Sequence, residues 1–339
     1  MNNILVYCEY DGERVATVSL ELLSEGRRLA DKLGVGLEAV VLGCNAEGVV
    51  GQLFPYGVDT LHVFSDSRLT PYTTLPHTKA LCKLIKENSY DIFLLGATVV
   101  GRDLAPRITA ELHCGLTADC TSLEIGDYED KKSGQTIKNL LYQVRPAFGG
   151  NIVATIVNPY HRPQMATVRE GVMPLAVVRP ADYAGEVVNH NVADYVAEAD
   201  FVVSVIERHV TAPDNNLKTA PIVVAGGYGM GSKENFEMLF TLARLLHGEV
   251  GATRAAVDAG FASHDRQIGQ TGLTVRPKVY FACGISGQVQ HVAGMQESGI
   301  IVSVNSDPDA PINAIADYVI NGKVEEVVPQ IIKHYQQKG

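Results

Sequence analysis

The stretch IGQTGLTVRPKVYFACGISGQVQH, Ile268 to His291, sets two glycine-containing loops around one strand-like run and closes on a histidine. Neither loop carries a nucleophile beside a base, a pair of carboxylates or a metal-ligand cluster. What it offers is backbone N–H groups, amides and hydroxyls, which hold a ligand rather than attack it. A further glycine turn lies in VVAGGYGMGSKENF, Val223 to Phe236, between an apolar run and a helical one, where a dinucleotide fingerprint or a P-loop would sit. It matches neither. GxGxxG begun at Gly227 meets Ser232 at its last position, and Gly226 to Lys233 runs GxxxxGSK rather than GxxxxGK followed by Ser or Thr.

Glycine turns can still take a phosphate on their N–H groups without a fixed motif. Three such turns, Gly226 to Gly231, Gly284 to Gly287 and the region after Asn305, fall at the carboxyl ends of strand-like runs, the edge where open parallel sheets bind ligands. Each loop alone reads more readily as an ordinary turn using glycine for positive φ. Three on one edge, with IGQTG between them, favour a long phosphorylated ligand. His291 lies five residues after Ser286, near the mouth of its loop, although a lone histidine is more often a satisfied core residue.

Other constellations carry less. His264 and Asp265 are adjacent, but no serine or cysteine stands in a nucleophile-elbow context. The ten histidines lack HExxH spacing, and Cys8, Cys44, Cys82, Cys114, Cys120 and Cys283 stand singly, as reduced and mostly buried thiols. No catalytic residue and no metal site is expected. GRDLAPR, Gly101 to Arg107, reads either as a solvated helix start with Asp103 in its first turn or as a binding element through Arg102 and Arg107.

These residues need a scaffold, and 339 residues exceed what one core usually organises, so two domains are expected. A net charge of −10 without clustered Lys and Arg argues against a nucleic-acid partner. The first residues, MNNILVYCEY, lack a basic segment before a long apolar run, and no stretch approaches 18 apolar residues, so a cytoplasmic location without membrane insertion is expected. Up to Thr98 the chain alternates apolar runs (ILVYCE, LEAVVLG, TLHVFS, DIFLLGAT) with helical patterns, the signature of a parallel sheet covered on both faces. From Leu116, GLTADCTSLEI, TIKNLLYQVRP, NIVATIVN and PQMATVR read as strands added to that sheet, and Asp200 to Val210 as another strand. The turn-rich TAPDNNLK, Thr211 to Lys218, divides the chain into an N-terminal domain, 1–211, and a C-terminal domain, 212–339, a second parallel α/β sheet. In the latter, APIVVAGG, EVGAT, KVYFACG and GIIVSVN are strands, Ser232 caps a helix, and VEEVVPQIIKHY is a terminal helix containing Pro329.

Eight ordered pieces together resemble the alpha subunit of electron-transfer flavoproteins along nearly the whole chain. In the C-terminal part they are TRAAVDAG, QIGQTG, GISGQVQHVAGM and INGK after DPDAPINAIADY. In the N-terminal part they are GATVVGRDLAPR, GLTADC, RPAFGGN and RPQMATVR. The resemblance implies an FAD on the C-terminal, doubly wound Rossmann-like domain and an N-terminal domain that contacts an ETF beta subunit in a heterodimer. It implies a flavin-binding set of Thr253, Arg254, Gln267, Ile268, Gly269, Gln270, Thr271, Gly284, Ser286, Gly287, Gln288, Val289, Gln290, His291 and Asn305. Arg254 is expected over the isoalloxazine, Gln270 and Thr271 at its N5 and C4 side, and a protonated or hydrogen-bonding His291 at N1 and the C2 oxygen. The backbone of Ser286 to Gln290 is expected near the ring and the pyrophosphate, and Asn305 near the pyrophosphate or adenosine.

The implied function is electron transfer, with an acyl-CoA dehydrogenase or similar flavoenzyme as redox partner. Some family members bifurcate electrons from NADH with a second FAD in the beta subunit, which otherwise carries AMP, and Arg145 is then a candidate contact to that ring. Two positions depart from the family pattern: Tyr228 stands where Arg is usual and Lys323 where Asp is usual, so a shifted adenosine pose or altered affinity is expected. Thr253 in place of the usual Ser keeps a hydroxyl. Outside the family, the alternatives are a non-redox adenine-nucleotide-binding module and an NAD-dependent dehydrogenase. The missing fingerprint disfavours the dehydrogenase.

Overall fold

The computed structural model describes residues 2–130, 134–147, 152–180, 182–207 and 215–337. The chain divides into two compact units, the first comprising Met1–Pro146 and Val153–Arg208 and the second built on His209–Gly339. The expected division at 211/212 lies outside the described residues.

In the first unit β1 (Ile4–Tyr7), β2 (Leu37–Gly43), β3 (Thr60–Ser65) and β4 (Ile92–Gly96) are the apolar runs read from the sequence, with α1 (Thr17–Leu33), α2 (Thr74–Asn88) and α3 (Val99–Leu112) between or after them. Their side chains are buried on both faces, which is why the runs are nearly continuous rather than alternating. The strands β5 (Leu116–Cys120), β6 (Ser122–Glu129), β7 (Thr136–Ala147), β8 (Ile152–Ile156), β9 (Gln164–Val168) and β10 (Glu186–His190) follow. The seven-stranded sheet has the order β10-β3-β2-β1-β4-β9-β5, and every pairing in it is parallel.

Two expectations are corrected here. Of the runs read between Leu116 and Val168, only β5 and β9 extend the sheet. The strands β6, β7 and β8 form a separate three-stranded sheet, because β6 and β7 pair antiparallel as neighbours in the chain. The expected strand at 200–210 is absent over Phe201–Glu207, where Val202, Val203 and Ile206 are exposed. The edge strand on β3 is instead β10, whose half-exposed EVVNH gave little periodic signal.

The second unit holds β11 (Ile222–Gly226), α4 (Lys233–Leu245), β12 (Glu249–Ala252), α5 (Arg254–Asp258), β13 (Val279–Cys283), α6 (Val289–Val292), β14 (Ile300–Asn305), β15 (Tyr318–Asn321) and α7 (Val324–Gln336). The sheet is all parallel in the order β12-β11-β13-β14-β15. Ser232 caps α4 as expected, its Oγ accepting from the Asn235 N–H at 3.1 Å. Pro329 sits within α7. Strand β15 was not legible, since all four of its side chains are exposed. The chain order reverses between β11 and β13, and the crevice outside their carboxyl ends is where such sheets take ligands. No helix among the described residues is long and apolar enough to cross a membrane.

Candidate functional site

A cavity of about 880 Å³ runs along the carboxyl edge of the second sheet. Its wall is supplied by the segments after β12, β11, β13, β14 and β15 together with 267–271. At the switch point two glycine loops lie backbone against backbone, with Gly227 N–H donating to the Cys283 carbonyl at 2.9 Å and Gly229 N–H to that of Gly284 at 3.0 Å. The approach demands glycine. Gly284 has φ +60, and a Cβ on it would lie 2.7 Å from the Gly229 carbonyl carbon, while Gly287 has φ +89 and a Cβ on it would overlap the Ile312 backbone. Of the turn Ser286 to Gln290, whose N–H groups donate to no backbone carbonyl among the described residues, Ser286, Gln288 and Gln290 reach the cavity, so the turn offers it free donors suited to an anion.

The end of the cavity beside β12 is built differently. Thr253 caps α5 through its hydroxyl, which accepts from the Ala256 N–H at 3.3 Å and so fixes Arg254 as the first residue of the helix. The Arg254 guanidinium is largely exposed, and Asp258, one turn on, lies 3.5 Å away. Such an exposed pair contributes little and leaves the cation free to turn to a ligand. The segment 267–271 is tied to the edge by Ile268 N–H to the Ala252 carbonyl (2.9 Å) and Gln270 N–H to the Gln290 carbonyl (2.7 Å). Buried Gln267 donates from Nε2 to the Thr271 hydroxyl at 3.0 Å, which holds the exposed Thr271 at the rim.

The cavity gathers Thr253, Arg254, Gln267, Ile268, Gly269, Gln270, Thr271, Gly284, Ser286, Gln288, Gln290, His291 and Asn305. Gly287 and Val289 do not reach its wall. Gly287 lies against Ile312 behind the turn, and Val289 opens the short helix α6. Asn305 turns inward: its amide donates to the Ile285 carbonyl at 2.8 Å and accepts from the Asp307 N–H at 3.0 Å, so the side chain braces the loop that faces the ligand. The sequence reading did not single out Asp258, Asp307 and Glu325, which also line the cavity. The four-residue spacing from Arg254 places Asp258 on the same helix face and was a usable signal. Tyr228 stands exposed at the rim with its ring parallel to Phe261, centroids 6.0 Å apart, and Lys323 lies at the far end. Arg102 is used locally: its Nε donates to the Ala97 carbonyl at 2.8 Å.

His291 is engaged within the protein at both ring nitrogens. It is buried, with Nδ1 3.0 Å from the Ile268 carbonyl and Nε2 2.9 Å from the Tyr280 hydroxyl. A carbonyl only accepts, so Nδ1 carries the proton and Nε2 accepts from the tyrosine. Burial pushes the pKa down to about 4, so the ring is neutral at pH 7 rather than protonated. His77, a buried residue of α2 in the first unit, is likewise pushed down to about 4.

Both histidines lower stability in acid. The unfolded chain takes up protons below about pH 6.5 that the folded chain refuses until about pH 4, so the stabilisation is complete above 6.5 and is lost as pH falls through that window. Each contributes on the order of 3 kcal/mol across it. The stability difference between the wild type and His291→Gln should therefore shrink between pH 7 and 4.5 in urea titrations. A difference independent of pH would contradict the neutral assignment.

An open parallel α/β sheet carrying a glycine-lined, anion-accepting cavity over its switch point defines a nucleotide-cofactor-binding protein. Comparison with known proteins makes this specific. Residues 4–195 match the electron transfer flavoprotein domain, and residues 216–296 match the electron transfer flavoprotein FAD-binding domain. The alpha subunit of the electron transfer flavoprotein of Thermoanaerobacterium thermosaccharolyticum is 45% identical over 336 residues, covering 99% of this chain and 98% of that one. Protein FixB of Clostridium saccharobutylicum is 46% identical over 330 residues, covering 97% and 95%. The acryloyl-CoA reductase electron transfer subunit beta of Anaerotignum propionicum is 39% identical over 365 residues, covering 97% and 94%. The chain belongs to the electron transfer flavoprotein alpha-subunit family, and its second unit is a flavin-binding domain. Membership implies a beta-subunit partner.

The residues present fit a dinucleotide flavin. Gly284 and Gly287 hold a turn in which a Cβ would strike the backbone of Gly229 or Ile312, its unpaired N–H groups suit a pyrophosphate, and the β12 end combines an exposed cation with amide and hydroxyl groups.

Proposed function

We propose that the chain holds one FAD along the carboxyl edge of its second sheet and, paired with an ETF beta subunit, carries electrons to or from an acyl-CoA dehydrogenase or reductase. The observation that carries this reading is the continuous cavity spanning all five strand ends, with the anion-accepting turn in its middle. A bound flavin supplies the redox chemistry, and the protein supplies placement and electrostatics. Arg254 brings positive charge to the ring end, Gln270 and Thr271 offer polar rim contacts, Ser286 to Gln290 bind the pyrophosphate through N–H groups, and Asn305 braces the loop beneath the adenosine half. No group in the cavity has to act as a general base, because electron transfer needs none.

The likeness to the Anaerotignum protein, an acryloyl-CoA reductase electron transfer subunit, supports an acyl-CoA-linked partner. Tyr228 gives this cavity a neutral aromatic rim, and its far end carries Lys323 together with Glu325. That arrangement supports an adenosine pose in which stacking on the rim and both charges take part. The first unit serves the beta subunit, whose own nucleotide decides the mode. Two flavins per assembled pair mark NADH-fed bifurcation, and one flavin beside AMP marks a simple carrier.

The test is co-purification of the pair, its visible spectrum, and flavin counting after denaturation. A yellow complex with at least one FAD is expected. A colourless pair that binds AMP or ATP overturns the reading in favour of a non-redox nucleotide module.

A further inference from the structure

Tyr280 is the second residue of β13, in register with Val223 on one side and Ile301 on the other, and is fully buried. By its position it belongs to the core, yet its hydroxyl reaches out of the sheet to His291 on the cavity wall. The hydrogen bond to His291 Nε2 is 2.9 Å long, and on the opposite side of the imidazole Nδ1 meets the Ile268 carbonyl at 3.0 Å. Ile268 is itself pinned to the sheet through its N–H and the Ala252 carbonyl. The ring is therefore held at both nitrogens by groups that cannot move without disturbing β13 or β12.

We propose, on the reading that this cavity takes the flavin, that Tyr280 is a positioning residue: with the Ile268 carbonyl it fixes His291 as a single neutral tautomer, so that the histidine brings an uncharged ring to the cofactor. The carbonyl demands a proton on Nδ1, and the tyrosine then donates to Nε2. A proton added at Nε2 would force the Tyr280 hydroxyl to rotate and accept, leaving its own hydrogen without another acceptor among the described residues of the core. Burial acts in the same direction, and its cost falls on the charged form.

The titratable groups around the ring are few. Tyr280 faces it from β13 with the Cys283 thiol further along that strand, and both are pushed up by burial and stay protonated at neutral pH. Arg254 and Asp258 of α5 line the same cavity, but no charged group contributes to the His291 shift. The positive charge at the ring end is then Arg254 alone, and the flavin's electrostatics are insulated from histidine titration over the physiological range.

The experiment is nitrogen NMR of the full chain with its partner, ¹⁵N-labelled at histidine, with His291→Gln to assign the signal, measured with and without FAD. The wild type should show one pyrrole-like and one pyridine-like nitrogen for His291, unmoved between about pH 5.5 and 9. In Tyr280→Phe the acceptor nitrogen loses its donor, so the pKa should rise by about one pH unit. The midpoint potential of the bound flavin should then diverge from wild type on the acid side, and a tyrosine acting only as core filler would leave both readings unchanged.

Two equivalent, pyrrole-like nitrogens at neutral pH in the wild type would overturn the proposal. So would identical His291 shifts and potentials in wild type and Tyr280→Phe. If that variant does not fold, the wild-type spectrum decides alone. A protein that binds no flavin would sink the flavin reading, while the tautomer measurement would still decide the lock.

Discussion

Gly287→Val is expected to lower FAD affinity roughly a hundredfold and to destabilise the second unit by about 3 kcal/mol. Gly287 adopts φ +89, a conformation that a β-branched residue resists, and a Cβ there would run into the backbone of Ile312. The loss cannot stay local. The Ile312 N–H donates to the Ser286 carbonyl at 3.1 Å, so pushing the two segments apart moves the turn whose N–H groups face the cavity. Flavin content of the purified pair, with urea denaturation followed by circular dichroism, measures both effects. Normal flavin content together with normal stability would show that the turn is neither tight nor the anion site.

Arg254→Ala is expected to weaken FAD binding about tenfold, equivalent to about 1.4 kcal/mol, and to lower the potential of the bound flavin. The argument is electrostatic. Among the described residues Arg254 and Lys323 are the full cations on the cavity wall, at opposite ends, and the neutral His291 adds nothing to the ring end. The Asp258 pair is too exposed to compete strongly for the guanidinium. Arg254→Lys should restore part of the potential but less of the affinity, because an ammonium keeps the charge and loses the planar, stacking fork. Fluorescence titration with FAD and a redox titration of the pair separate the two readouts. An unchanged potential in Arg254→Ala would move the ring away from α5.

How much of this was legible in the sequence follows from burial. The runs that became β1 to β4, β11, β13 and β14 lie mostly inside the sheets, and their continuous hydrophobicity announced a parallel α/β fold. Strand β15, with Tyr318 to Asn321 all exposed, is a strand only because Asn305 and its neighbours pair with it, and no local pattern reports that. The opposite error befell Phe201–Glu207. Its valines and isoleucine read as a strand, but the neighbouring sheet edge belongs to Glu186–His190, and a β-rich run without a partner forms no strand.

At the site, glycine spacing and the resemblance to the flavoprotein family brought thirteen of the named residues to one cavity. They could not foresee which side chains work inward. Asn305 and His291 look like ligand contacts in one dimension, yet one amide braces a loop and one imidazole is bound at both nitrogens. Tyr280 was hidden for the same reason, since a tyrosine in an apolar strand reads as core until the hydroxyl's partner is seen.

The central claim is that the isoalloxazine lies at the β12 end of the second sheet's carboxyl edge. A crystal structure of the assembled pair with FAD tests it most directly. Ring density bounded by Arg254, Thr271 and His291, with the pyrophosphate against the N–H groups of Ser286 to Gln290, is the predicted result. Flavin density elsewhere on the molecule, or a nucleotide without a flavin ring occupying this cavity, would contradict the account.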